Sequence, residues 1–117
     1  MTPKASVEVG GIRRSIALEA IVDTGFTGYL CVPIRVAVTL GLELIGHEYV
    51  ELGDGSRKKE FIFMGSIKFL GDAQEAEILL AEGDFGLIGT RLLDDCRLTV
   101  DFPAKDVKIV RKKRAKN

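Results

Sequence analysis

Residues 20–28 read AIVDTGFTG, and the interpretation of the whole chain starts from them. Apolar residues of one parity lead into this stretch and predict a strand over residues 16–22 with one buried face: Ile16, Leu18, Ala20 and Val22. The strand delivers Asp23 to its own end, where Thr24 and Gly25 let the backbone turn sharply. An ionised Asp in that place is costly unless it is solvated, paired or functional. Asp23 is therefore the first candidate for chemistry, although Asp-Thr-Gly also occurs in ordinary turns.

Length and charge narrow the classes of protein that this chain can be. It has 117 residues, with 17 basic and 17 acidic side chains and a net charge of zero. One domain is expected, because domains usually run to about 100–200 residues. The length excludes a TIM barrel, a protein kinase and a two-domain dehydrogenase. Zero net charge argues against nucleic acid as a partner, since proteins that bind it are usually basic.

The chain has few cysteine and histidine residues that could bind zinc. Cys31, Cys96 and the single His47 have a spacing that fits no zinc site, so we expect no bound metal. Both cysteines are expected to be small buried hydrophobes, and a disulfide between them stays open. The N-terminus lacks the apolar core of a signal peptide, and no apolar run approaches the roughly 20 residues of a membrane span. We therefore expect a cytoplasmic protein that makes no membrane contact.

Short strands punctuated by glycine fill the chain. They are predicted over residues 6–9, 16–22, 29–32, 43–52, 58–63, 66–70, 75–81, 85–88, 98–102 and 107–110. Gly10-Gly11 predicts a two-residue hairpin turn, and residues 53–56 predict the tip of a longer hairpin. Short helices are predicted at 34–40, before Gly41, and at 91–95, after Thr90. Strands this short and regular indicate an all-β fold, closed or nearly closed into a barrel.

Three segments, in their order along the chain, resemble the retropepsin-like aspartic proteases. They are Asp23-Thr24-Gly25 after an apolar strand, the hairpin tipped by Gly53-Asp54-Gly55, and Leu87-Ile88-Gly89 before a predicted short helix. The likeness covers about residues 7–110, and Pro33 with Leu40-Gly41-Leu42 makes the chain similar to the small prokaryotic members of that family. The resemblance implies a closed retropepsin-like barrel (the acid protease fold) over residues 1–110, with one or two very short helices. We expect the basic tail at 111–117 to be disordered.

The resemblance also implies an activity, aspartic endopeptidase. Two Asp carboxyls that share a proton activate the water that attacks the peptide bond. This chain has one Asp-Thr-Gly, so the implied enzyme is a homodimer in which each subunit contributes Asp23, supported by Thr24 and Gly25. No cofactor is implied.

The implied substrate is a peptide or protein held as an extended strand. The implied substrate-binding residues lie at the hairpin tip and around the Asp loop: Gly53, Asp54, Gly55, Phe26 and Ile88. Because two carboxyls about 3 Å apart do not both ionise easily, activity is expected to be bell-shaped in pH and best in acid.

Phe26 departs from the family's pattern, which usually has a small Ala, Ser or Thr after the glycine. Its bulk would narrow or reshape the cleft, which favours an alternative function as a non-catalytic dimeric β-barrel that binds peptides or scaffolds a partner protein. A third alternative, a nucleic-acid-binding barrel, would use the basic tail at 111–117.

Overall fold

Strands make up most of the computed structural model of the protein, which describes residues 2–112. The described part has nine strands and one helix: β1 (Lys4–Gly10), β2 (Ser15–Val22), β3 (Leu30–Pro33), α1 (Ile34–Leu40), β4 (Glu43–Glu51), β5 (Arg57–Phe69), β6 (Asp72–Ala81), β7 (Gly86–Ile88), β8 (Cys96–Asp101) and β9 (Asp106–Arg111). The all-β prediction is confirmed.

Six of these strands close into a barrel. Their order around the ring is β1-β2-β7-β3-β6-β5, and β5 returns to pair with β1. A short antiparallel seam closes the ring, with Val9 opposite Ile67 at its centre. β4 pairs only with β5 and forms a hairpin arm with it, while β8 and β9 make a separate two-stranded sheet. The closed barrel predicted from the strand spacing is therefore confirmed.

Alternating apolar side chains fill the barrel, because successive residues of a strand point to opposite faces. The largest fully buried ones come from most strands of the ring and from α1: Phe69, Leu30, Leu40, Ile67, Ile78, Ile88, Val7, Val9 and Val32. Burial of each such side chain contributes about 1.5–3 kcal/mol of transfer free energy. In β2, Ala20 and Val22 point into this core, so the strand that leads to Asp23 is firmly anchored.

The turn between β1 and β2 differs from the prediction. It spans residues 11–14 rather than two residues, and neither Gly10 nor Gly11 has the positive φ that a two-residue hairpin turn needs. The longer turn reaches α1, where the amide of Arg13 donates to the carbonyl of Leu40 at 3.0 Å. The turn thus satisfies carbonyl groups at the end of the helix, a long-range contact that local sequence does not reveal.

Two further predictions were wrong. Residues 58–63 and 66–70 belong largely to one strand, β5, which runs unbroken through Gly65. Residues 91–95 form turns rather than a second helix, so α1 is the one helix of residues 2–112. The amides of Leu92 and Cys96 each donate three residues back, at 3.2 and 2.8 Å, without building a continuous helical ladder.

The C-terminal boundary also shifts. Arg111, which the sequence placed in the tail, is the last residue of β9. Its guanidinium donates to the carboxylate of Asp95 and to the carbonyl of Phe69, both at 2.9 Å. Residues 113–117 of the predicted tail lie outside the described residues. Between residues 2 and 112, no helix has the length and hydropathy that a membrane crossing requires.

Candidate active site

Asp23 lies where β2 ends, at the start of a loop of residues 23–29 that leads to β3. Strand β7 is inserted between β2 and β3. It pairs in parallel with β2, with Ile88 opposite Val22, and antiparallel with β3, with Ile88 opposite Leu30. The two ends of the loop are therefore held at a fixed separation by a strand from much later in the chain.

Backbone hydrogen bonds orient the Asp23 side chain. The Asp23 amide donates to the carbonyl of Ile88 at 2.9 Å, which fixes the position of the residue at the end of the strand. The Asp23 Oδ1 atom accepts the amide of Gly25 at 3.0 Å. Asp23 is half-buried, whereas Thr24 and Gly25 are exposed. The predicted catalytic group is thus a directed carboxylate at the surface of the barrel.

The turn of residues 89–91 holds the loop from its other side. Its amides donate to three loop carbonyls: Thr90 to Phe26 at 2.8 Å, Arg91 to Gly28 at 3.1 Å and Gly89 to Tyr29 at 3.0 Å. The segment predicted as a helix cap therefore binds the Asp23 loop instead.

Two cavities lie beside the loop, against the stem of the β4–β5 hairpin. The first, here named the apolar compartment, has a volume of about 430 Å³. Its lining combines an apolar wall, made of Ile21, Phe26, Cys31, Leu79, Leu80 and Leu87, with four charged side chains, those of Lys58, Glu60, Glu82 and Asp84. The second, here named the carboxylate compartment, has a volume of about 390 Å³ and is lined among others by Phe26, Tyr29, Glu48, Glu60, Glu77 and Arg91. Phe26, Glu60 and Leu79 line both compartments.

The pKa of Cys31, which lines the apolar compartment, reflects the burial and the charges around it. Burial, followed by the negative charges of Glu60 and Asp23, raises the pKa of its thiol to about 12, while Lys58 opposes the shift. A thiol with that pKa stays protonated near neutral pH and is a poor nucleophile. Both cysteines are free, Cys31 buried and Cys96 half-buried, so the disulfide left open by the sequence is not formed.

The hairpin has the tip that the sequence predicted. The Gly55 amide donates to the carbonyl of Leu52 at 2.9 Å, and Gly55 adopts a φ of +85°. The Ser56 hydroxyl and amide both donate to Asp54, and these hydrogen bonds lower the pKa of its carboxyl. Gly53, Asp54 and Gly55 are all exposed, and the stem rather than the tip lines the compartments beside the loop.

The remaining predicted binding residues take different places. Ile88 is fully buried, so it meets the site through its carbonyl, which holds Asp23. Phe26 is half-buried and lines both compartments. Among residues 2–112, no group of three or more His, Cys, Asp or Glu side chains is arranged to hold a metal ion.

Sequence reasoning missed the carboxylates of the hairpin stem. Glu48 and Glu60 are directly opposite each other in the β4–β5 register and line the carboxylate compartment with Glu77. The hairpin signal gave this register only to within one residue, because a tip at residues 53–56 places Glu48 opposite Phe61, whereas the observed turn spans residues 52–56. Glu77, on β6, has no such local signal.

Comparisons with known proteins address the fold. Neither protein-family models nor curated proteins give a match. Among solved structures, simian foamy virus (mac) protease is similar with a TM-score of 0.58 and 24% identity, over 79% of this chain and 92% of that one. EIAV protease in complex with an inhibitor is similar with a TM-score of 0.60 and 17% identity, over 81% of this chain and 88% of that one. Together with the closed barrel, these similarities show that the chain has the retropepsin-like fold.

Proposed function

We propose that this chain is one subunit of a homodimeric aspartic endopeptidase. The observation that carries the proposal is the Asp23 carboxylate, held by the Gly25 amide on a loop that Ile88 and the turn of residues 89–91 fix from both sides. The retroviral proteases that share this fold support the class of reaction. The substrate class is peptide or protein.

Pairing of two chains completes the reaction centre. General acid–base hydrolysis of an amide by this chemistry needs two carboxyls, and the sequence supplies one Asp-Thr-Gly. A two-fold axis beside Asp23 would bring together one carboxyl from each subunit. The exposure of Thr24 and Gly25 in the single chain supports this arrangement, because both remain available to a second copy.

In the proposed mechanism, a water molecule activated by the two Asp23 carboxyls hydrolyses the peptide bond. One Asp23, as carboxylate, takes a proton from water while the oxygen attacks the peptide carbonyl carbon, and the protonated partner carboxyl donates to the carbonyl oxygen. Collapse of the tetrahedral intermediate breaks the C–N bond, and a proton passes to the leaving amine. Because exactly one of the two carboxyls must be protonated, activity falls at both ends of the pH range and is best in acid.

The peptide would lie extended in the cleft between the Asp23 loop and the hairpin stem. In this proposal the hairpin closes over it through Gly53, Asp54 and Gly55. Phe26 contacts its side chains, and Ile88 keeps the loop in place beneath it.

A second candidate function rests on Phe26. Its half-buried ring occupies the cleft at the point where the two compartments meet, which favours a non-catalytic dimeric barrel that binds peptides or a partner protein. Pepstatin separates the two functions. A working pair of carboxyls predicts that pepstatin raises the melting temperature in acid, whereas a barrel without a reaction centre predicts no shift.

The substitution Asp23→Asn tests the proposed function directly. Loss of the acid–base group should lower kcat for peptide cleavage by at least about 100-fold while the dimer, followed by sedimentation, stays intact. Asp106→Asn, at the exposed start of β9, is the matched control and should cleave like the unaltered chain. Cleavage at the normal rate by the Asp23→Asn variant would remove this residue from the mechanism.

A further inference from the structure

The β4–β5 hairpin diverges from the barrel towards its tip. Residues 63–69 of β5 pair with β6, but residues 57–62 pair with β4 and, within residues 2–112, with no strand of the ring. β6 continues to Ala81 against β3, so β5 and β6 separate at Phe63. Residues 44–62 are here named the outer arm. Sheet hydrogen bonds with the ring therefore do not set the distance between the outer arm and the Asp23 loop.

The loop of residues 82–85, between β6 and β7, is tied to two elements of the barrel. The Arg35 guanidinium, from α1, donates to the carbonyl of Asp84 at 3.0 Å and lies 3.6 Å from its carboxylate. The Lys4 ammonium, from β1, lies 4.3 Å from the centre of the Phe85 ring. This loop is thus a fixed point at the edge of the apolar compartment, which it lines.

A third cation reaches the same loop, and it comes from the outer arm. The Lys58 ammonium donates to the carboxylate of Glu82 and forms an ion pair with it. That hydrogen bond lowers the pKa of the Glu82 carboxyl and raises the pKa of the Lys58 ammonium, so both groups are charged near neutral pH. Both residues line the apolar compartment, so the ion pair joins the outer arm to the 82–85 loop at its edge.

We propose that Lys58 is a positioning residue of the hairpin, whose ion pair with Glu82 holds the outer arm in its closed position over the cleft. This inference rests on the proposed function. The side chains of Lys58 and Glu82 are 41% and 82% exposed, so water and salt weaken their attraction. The ion pair is therefore weak enough to break and form again whenever a peptide enters or leaves the cleft.

Loss of the ion pair should affect binding rather than chemistry. Without it, the outer arm spends less time in the closed position, and the apparent affinity for a peptide falls by the same fraction. The reacting carboxyls are not touched, so kcat should stay the same. Glu60 is also close enough to act on the charge of Lys58, but it lies on the same strand and cannot tie the outer arm to the loop.

A zero-length cross-linker tests the contact without any assay of activity. A carbodiimide joins an ammonium to a carboxylate that it touches, and mass spectrometry of the digested full-length protein locates the new amide bond. We expect a cross-link between Lys58 and Glu82 that becomes weaker at high salt. Lys59 should form none with Glu82, because adjacent residues of a strand point to opposite faces. Absence of the Lys58–Glu82 cross-link would overturn the inference.

Cleavage of fluorescently labelled casein, an unfolded protein, tests the effect on the reaction. Lys58→Met and Glu82→Gln should each raise KM by about two- to fivefold and leave kcat unchanged. Lys58→Arg, and the double variant in which Lys58→Glu is combined with Glu82→Lys, should restore KM. Lys59→Met is the matched control, since it removes the same charge from the neighbouring residue, and its KM should be normal.

Two kinetic results would overturn the role of Lys58. One is a normal KM in both single variants, and the other is a raised KM that neither Lys58→Arg nor the double variant restores. If the unaltered chain does not cleave casein, the proposed function fails. The dissociation constants of the same variants for labelled casein, measured in the Asp23→Asn background, then still decide whether Lys58 holds the outer arm.

Discussion

At the scale of single residues, Gly89 has no room for a side chain against the Asp23 loop. A Cβ atom there would lie 2.1 Å from the carbonyl oxygen of Gly28 and 2.8 Å from that of Phe26. Gly89→Ala must therefore displace the loop, and we expect it to lower the free energy of unfolding by about 1–3 kcal/mol and to reduce cleavage. Urea unfolding and a peptide cleavage assay measure the two effects.

Gly46→Ala is the control for that substitution, because a Cβ atom at Gly46 meets nothing within 4 Å. It should leave cleavage unchanged. A Gly89→Ala protein with normal stability and normal cleavage would show that the loop does not depend on this close approach.

The sequence was sufficient to predict the contacts of the site between neighbouring residues, but not its contacts between residues distant in sequence. Asp23 and Gly25 lie two residues apart, so an apolar strand followed by a tight turn already places their hydrogen bond. The position of the Phe26 ring depends on Gly89, because a Cβ atom there would lie 2.7 Å from the Cδ2 atom of the ring. Gly89 is distant in sequence and reaches the ring only in the folded barrel. The sequence therefore indicates, from a bulky residue after Asp-Thr-Gly, that the cleft is altered. It does not give the direction of the Phe26 ring, which is set by a long-range contact.

At the scale of elements, the alternation of apolar and polar residues predicted the strands, whereas a glycine inside a strand led to a wrong strand boundary. Gly65 falls in the gap between the predicted strands over residues 58–63 and 66–70, yet it lies inside the single strand β5, opposite Ala76. A Cβ atom there would lie 2.9 Å from the carbonyl oxygen of Gly10, so the glycine permits β1 to approach at the seam. A glycine required by a neighbouring strand and one required by a turn look the same in a single sequence.

The attachment of β9 gives a prediction about acid stability. Burial would raise the pKa of Asp95, but hydrogen bonds from Cys96 and Arg111 and the charge of Arg111 together lower it below 3.8. The stabilising effect of the Asp95 carboxylate is therefore complete above the unfolded value of 3.8 and is lost as the pH falls through the lower folded value.

Free energies of unfolding of the unaltered chain and of Asp95→Asn, measured along an acidic pH series, check this prediction. We expect a destabilised variant near neutral pH and a difference that shrinks below pH 3.8. Asp106→Asn, on the exposed start of the same strand, should change stability little at neutral pH. A difference that stays constant down to the most acidic conditions would contradict the role of the Asp95 carboxylate.

At the scale of the whole molecule, the proposed function predicts how mixed subunits behave. If each reaction centre takes one Asp23 from each of two chains, an inactive Asp23→Asn subunit also silences its partner. In an equal mixture of the two proteins, after exchange of subunits, cleavage per unaltered chain should fall to about half. Adding an unrelated protein in the same amount is the control, and cleavage that stays proportional to the unaltered chain would indicate a centre complete within one subunit.

The insertion of β7 between β2 and β3 also sets when the site can exist during synthesis. The hydrogen bonds that tie the loop of residues 23–29 to another part of the chain come from residues 88–91, so a growing polypeptide that ends before them has Asp23 on an unanchored segment. Translation must pass most of the barrel before the loop is fixed, and in the proposed homodimer two chains pair only after that. If the chain is the proposed endopeptidase, a ribosome-bound fragment that ends before residue 88 cannot yet hydrolyse its neighbours, because the strand order leaves its Asp23 loop unanchored.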